Sequence, residues 1–111
     1  MSEQELLNEV RRLAAGLQWL TYHTHRSFKS EPGFPDLVLS RDTLIIAELK
    51  SEAGKLHGDQ ALWIERLIHA GVECYLWRPS DLPFITQRLG RRGRFEVEVP
   101  TEVTDYLARV A

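Results

Sequence analysis

The chain has 111 residues, 43% of them in the hydrophobic set and 27% charged, with 14 basic and 16 acidic side chains and a net charge of −2. This describes one globular domain over residues 1–111, large enough to bury about two-thirds of its unfolded surface without disulfides or structural zinc. Cys74 is the only cysteine, which excludes a disulfide framework and a cysteine-built metal site, and the near-neutral balance excludes a polycation that coats nucleic acid by bulk charge.

Met1 to Glu5 carry two acids, and no apolar run of signal-peptide length follows. The longest apolar stretch, Leu44 to Ala47, is far short of the ~18 residues of a membrane span. A lone thiol and no visible leader predict a reducing, cytoplasmic setting away from membranes.

Leu6, Val10, Leu13 and Leu17 form one helical stripe and predict an amphipathic helix over 3–17, with Ser2 and Glu5 as a capping box. Residues 20–25, rich in aromatic and β-branched side chains, predict a strand. A Ser-, Pro- and Gly-containing loop follows over 26–35. Two apolar runs, 36–39 and 43–50, joined by Ser40-Arg41-Asp42, predict a β-hairpin. A second helix is expected over 58–70 and stops at Gly71; a strand is expected over 72–77. Pro79 ends that strand, Ser80 or Asp81 caps a short helix through Leu89, and 95–99 is read as a final strand. The order α, β, β, β, α, β, α, β predicts an α/β fold with a mixed β-sheet flanked by helices.

The hairpin carries the most informative positions. Asp36 at the start of one strand and Glu48 and Lys50 at the end of the next return to the same end of the sheet, and residues two apart share a face. Two carboxylates about 4 Å apart repel by roughly 4 kcal/mol at an effective dielectric of 20, so such a site asks for a cation. Mg²⁺ prefers oxygen ligands and commonly takes one or two carboxylates plus phosphate oxygens. The Leu49 carbonyl is a third candidate oxygen. Lys50 beside such a cation would orient or help deprotonate a water, or stabilise charge growing on a phosphate. The plainer alternative is a strand-end ion pair.

Pro35-Asp36, eleven intervening residues, then Glu48-Leu49-Lys50 resembles the bipartite signature of the PD-(D/E)XK nuclease superfamily. The wider context runs Gly33 to Leu39, Ala47 to Glu52, Gln60 with Trp63, Gly71-Val72-Glu73 and Trp77-Arg78-Pro79. It resembles the VRR-NUC family, especially small stand-alone members of phage type, over about residues 19–82. The resemblance implies a restriction-endonuclease-like fold and a metal-dependent DNA endonuclease akin to Holliday-junction resolvases. It further implies Mg²⁺ or Mn²⁺, a homodimer acting on branched or junction DNA, and a bacterial or phage-infected cell.

Carried over residue by residue, Asp36 and Glu48 are metal ligands and Lys50 is the catalytic lysine. Gln60 positions substrate or the lysine, or else bonds backbone in the first helical turn. The acid that the superfamily often draws from its first helix falls at Glu5, in competition with the capping box and with Glu9. His23, Ser27 and Ser30 match the family's loop pattern as DNA contacts, and Arg26, where the family tends to have an acid, suggests a phosphate contact instead. Arg26 and Lys29, and Arg88, Arg91, Arg92 and Arg94, are the basic clusters; the latter suit a phosphate-binding rim or a solvated turn. The rival from another class is a non-catalytic DNA-binding or assembly module that retains the fold; a third possibility is a nuclease subunit that needs a partner.

Overall fold

The computed structural model describes residues 1–24 and 31–111. Helix α1 spans Glu3–Gly16 and starts where Ser2 and Glu5 bond each other's backbone amides. Its stripe Leu6, Leu7, Val10 and Ala14 is buried. Strands β1 (Leu20–His23), β2 (Leu37–Ser40) and β3 (Leu44–Leu49) form an antiparallel meander. Helix α2 (Gln60–His69) then carries the chain to β4 (Glu73–Trp77), which pairs parallel to β3. The sheet order is β1-β2-β3-β4. A single 3₁₀ turn at Pro79–Asp81 leads into α3 (Leu82–Leu89), and α4 spans Thr101–Val110.

Strand alternation divides the core in two. Leu37, Leu39, Ile45, Ala47, Leu49 and Trp77 face α1 and α3, packing with Leu6, Val10, Ile85 and Leu89. Ile46 and Cys74, with Val38 and Leu76 beside them, face α2 and α4, packing with Ala61, Ile64 and Val103. The result is an α/β domain with a mixed four-stranded sheet between two helical layers. Among the described residues no helix is long and apolar enough to cross a membrane.

Two expectations are corrected. Residues 95–99 form no strand, and the chain continues into a fourth helix, α4. The alternation behind the strand expectation is real, since Phe95, Val97 and Val99 are half-buried and Glu96 and Glu98 exposed. However, the Phe95 amide donates to the Glu73 carboxylate (2.8 Å) rather than to a strand partner. In α4, Val103, Tyr106 and Leu107 supply the apolar stripe.

Arg88 is also not on a basic rim. It is 1% exposed and forms a fork with the equally buried Glu73, donating from Nε and from Nη2 (2.8 Å). Burial raises the Glu73 pKa, but bonds from Arg88, the Phe95 amide and the Tyr75 hydroxyl outweigh it and hold the carboxyl below its ordinary range. The rest of the Arg88 guanidinium donates to the Arg91 carbonyl (3.0 Å) and the Gly93 carbonyl (2.7 Å). Arg41, in the β2–β3 turn, donates to the same Arg91 carbonyl (2.8 Å) and to that of Leu89 (3.0 Å). Asp42 accepts from the Gly93 amide (2.6 Å). The loop over 90–94 is thus fastened to the turn end of the sheet.

Candidate active site

The β2–β3 register ends at Leu37↔Ala47, and Asp36 and Glu48 are the next residue on either side of that pair. Directly opposed residues share a face with Cβ atoms about 4.5–5.5 Å apart. Lys50 follows Glu48 by two and remains in line, because its amide donates to the Trp77 carbonyl (3.0 Å) as the β3–β4 ladder would. All three side chains therefore share the α2/α4 face at the end of the sheet opposite the β2–β3 turn. They are 8%, 1% and 4% exposed respectively. Each takes part in at least one polar or electrostatic contact.

Proline shapes this end of the hairpin. Asp36 bonds outward to β1 through its carbonyl, which accepts from the Thr24 amide (2.8 Å). Pro35 precedes β2 and lies outside the ladder. Proline has no N–H, so it gives the Leu49 carbonyl no ladder donor. The Leu49 amide instead donates to Asp36 Oδ2 at 2.9 Å, and the Pro35 carbonyl accepts from the Thr24 hydroxyl (2.9 Å). Upstream, the chain leaves β3 for α2. Phe34 packs edge-on against Trp63 with ring centroids 5.0 Å apart. Gly33, at φ +88°, lies so close to Asp59 that an added Cβ would sit 2.8 Å from its Cβ. The β2–β3 ladder ends at Leu37↔Ala47, just short of the two carboxylates.

A hard cation fits the donor chemistry of this end of the hairpin. Two neighbouring carboxylates and the Leu49 carbonyl are oxygen donors of the kind Mg²⁺ takes alongside waters and phosphate oxygens. Among the described residues no group of three or more His, Cys, Asp or Glu side chains is placed to hold a metal, so a carboxylate-rich cage is not present. The charge of Glu48 is also felt by Cys74, whose thiol is pushed up to about 12 by burial first and by Glu48 second. Cys74 is opposite Ile46, diagonal to Glu48 on the same face.

The remaining sequence-derived positions separate. Gln60 opens α2 on the same face as the trio and is 9% exposed; its Oε1 accepts from the His57 amide (3.0 Å), the backbone-bonding alternative. His23 is opposite Leu37 and so lies on the α1/α3 face. Glu5 belongs to a helix on that same face, and its carboxylate accepts from the Ser2 amide (2.9 Å); Glu9 pairs with Arg12. Neither acid joins the trio. Arg91 and Arg92 are exposed on the loop at the turn end of the sheet. Arg26, Ser27, Lys29 and Ser30 lie outside the described residues.

Arg78 was seen in the sequence only as part of a motif. Its Nη1 donates to the carbonyls of Ser51 and Gly54 (2.7 Å each), and its Nη2 pairs with Glu102 of α4. It thereby fixes the loop that leaves Lys50. Ser80 adds a second fastening, donating from amide and hydroxyl to Glu52 (2.8 and 2.9 Å). An arginine between a strand-ending tryptophan and a proline was the available signal, but nothing in spacing names two loop carbonyls as its partners. No protein-family model, no curated protein and no solved structure matches the chain.

Proposed function

We propose that this chain is a metal-dependent DNA endonuclease of restriction-endonuclease-like fold, as its VRR-NUC-like motifs imply. It acts in the cytoplasm on branched or junction DNA as a homodimer. The observation that carries the reading is that Asp36 and Glu48 follow the Leu37↔Ala47 pair at one end of the hairpin, with Lys50 two residues on, all withdrawn from solvent. Two carboxylates at the ~5 Å spacing of neighbouring Cβ atoms would repel by roughly 3 kcal/mol at an effective dielectric of 20, a cost that cation binding would reverse. An inactive scaffold has no use for that cost.

In this mechanism Asp36, Glu48 and the Leu49 carbonyl would hold Mg²⁺ or Mn²⁺, which when bound would supply Lewis-acid stabilisation of a phosphoryl oxygen and lower the pKa of a water. The Leu49 amide on Oδ2 fixes the Asp36 carboxylate in place. Lys50 orients the attacking water or stabilises negative charge on the phosphate in the transition state. Arg78 keeps the loop after Lys50 in register with β4. A two-fold dimer would present two such sites to two strands, which suits recognition of shape and backbone rather than base sequence.

The test is nicking of four-way, flapped and linear DNA in Mg²⁺, Mn²⁺ or EDTA. Wild type should cleave only with metal, with Asp36→Asn, Glu48→Gln and Lys50→Ala each slower by about 100-fold or more. DNA binding with every substrate left intact in all metals would replace this reading with a non-catalytic module. Cleavage that appears only when a second protein is added would make the chain a nuclease subunit.

A further inference from the structure

Residues 51–59 join Lys50 to α2 without forming a helix or a strand. Connections of this kind are usually among the more mobile parts of a fold, yet here Leu56 is buried and Ser51 and Gly54 are half-buried. The course of the loop is set from two neighbours. From the end of β4, Arg78 donates to the Ser51 and Gly54 carbonyls (2.7 Å each), and the Ser80 amide and hydroxyl donate to Glu52. From α4, the Tyr106 hydroxyl donates to the Gly58 carbonyl (3.3 Å), and Val103 shares an apolar cluster with Leu56. The two neighbours are themselves joined, because Glu102 of α4 pairs with Arg78 Nη2.

Arg78 is the junction of these contacts. It directly follows Trp77, whose carbonyl accepts from the Lys50 amide (3.0 Å), so the root of its side chain lies one residue from the last ladder bond of Lys50. That root is fixed, since the Arg78 amide donates to Asp81 Oδ2 (2.8 Å) and the Arg78 carbonyl accepts from the Asp81 amide (2.8 Å). At the tip, one planar guanidinium serves two loop carbonyls and a carboxylate at once, which the point charge of a lysine does not reproduce. The turn that receives it is tight: the Gly54 amide donates to the Ser51 carbonyl (3.2 Å), and a Cβ on Gly54 would lie 2.9 Å from Ser51 Oγ. The seam with α4 is otherwise open, a groove of about 470 Å³ lined by Lys55 and Leu56 and by Glu102, Asp105, Tyr106 and Arg109. The loop thus meets α4 at separate points, and the ionic one runs through Arg78.

We infer that Arg78 is a positioning residue for Lys50, and that Glu102 makes the C-terminal helix part of the site by holding Arg78. The inference rests on the nuclease reading for what Lys50 does. A lysine ammonium ends a flexible four-carbon stem, and its placement starts from the backbone on either side of its own residue. On one side of Lys50 is the ladder bond to Trp77, and on the other is the Ser51 carbonyl held by Arg78. With Lys50 only 4% exposed, its stem follows the backbone rather than swinging through solvent to compensate. A shift of about 1 Å at a reacting group costs on the order of 100-fold in rate.

The experiment takes Arg78→Gln, Arg78→Lys and Glu102→Ala, each alone and combined with Lys50→Ala, through amide hydrogen exchange and through nicking of four-way DNA in Mg²⁺. Arg78→Gln should speed exchange over 51–56 while β3 and β4 stay protected. It should lower kcat by about 100-fold with KM unchanged, and Arg78→Lys should not restore the rate. In the Lys50→Ala background the same change should have no further effect, because residues that act as a unit are not additive. Glu102 has a side chain 44% exposed, so its removal leaves the fold intact, and Glu102→Ala should give the same pattern at about 1.5- to 5-fold.

The inference is overturned if Arg78→Gln leaves exchange over 51–56 at the wild-type rate. It is equally overturned if the change slows Lys50→Ala as much as it slows wild type, or if it raises KM alone, which would make Arg78 a DNA contact. Should Arg78→Gln not fold, Glu102→Ala decides by the same readouts. Wild type that cleaves no DNA in Mg²⁺ or Mn²⁺, with exchange over 51–56 faster in Arg78→Gln, would sink the nuclease reading alone.

Discussion

Replacing Glu48 by Gln should stabilise the metal-free protein while removing its response to metal. The change keeps the volume of a side chain that is 1% exposed and deletes its charge. At an effective dielectric of 20, losing the repulsion with Asp36 across about 5 Å returns roughly 3 kcal/mol. Losing the attraction to Lys50 across about 7 Å costs roughly 2 kcal/mol. Relief from holding an ionised carboxylate out of water adds to the gain, so a net stabilisation of about 1–3 kcal/mol is expected. For 111 residues, 1 kcal/mol is worth about 4 °C in Tm. The variant in EDTA should therefore melt about 4–13 °C above wild type. Addition of Mg²⁺ to 100 times its Kd should raise wild type by about 2.7 kcal/mol, near 12 °C, and leave the variant unmoved. Differential scanning calorimetry with and without EDTA reads both numbers. A variant that melts below wild type in EDTA would refute the reasoning, because Glu48 would then be the structural counter-ion of Lys50 and no cation would be needed.

Breaking the buried fork with Arg88→Met should cost about 3–5 kcal/mol, seen as a Tm lower by about 13–20 °C, and Glu73→Leu added to it should recover part of the loss. Because the folded pKa of Glu73 lies below its ordinary 4.5, its contribution to stability is complete above that pH and is lost as pH falls through the depressed value. Acid melts of wild type should show this loss, and the double variant should not. Asp42 is held at about 2 by the Gly93 amide and by Arg41, so the Gly93 amide resonance should titrate with a midpoint near that pH. An ordinary midpoint near 3.8 would mean the loop is not fastened there. Cys74, fully buried and with its thiol at about 12, should resist alkylation at pH 8 until the protein unfolds.

The hairpin and its charged end were legible because both depend on short-range rules. Eleven residues between Asp36 and Glu48 leave room for two strands and a turn, and parity then puts Glu48 and Lys50 on one face. The separation of Glu5 from the trio was not legible. A helical stripe says that a face is buried, but not on which side of a sheet it lands, and α1 landed opposite. Arg91 and Arg92 were read as a rim without a location, since only the direction of β3 shows that their loop is at the other end of the sheet. Phe95, Val97 and Val99 alternate as a strand does, yet whether alternation becomes pairing depends on a ladder partner. Here a side chain, Glu73, accepts the bond.

The proline before Asp36 has a consequence for where the pairing of β2 with β3 stops. Two strands that could pair further would tend to zip shut, and an opening between them would need a ligand or a bulky wedge to hold it. With an imino acid at the junction there is no donor to extend the pairing, and Gly33 permits the close approach that bends the chain away toward α2. The end of the pairing is therefore written into the covalent chain.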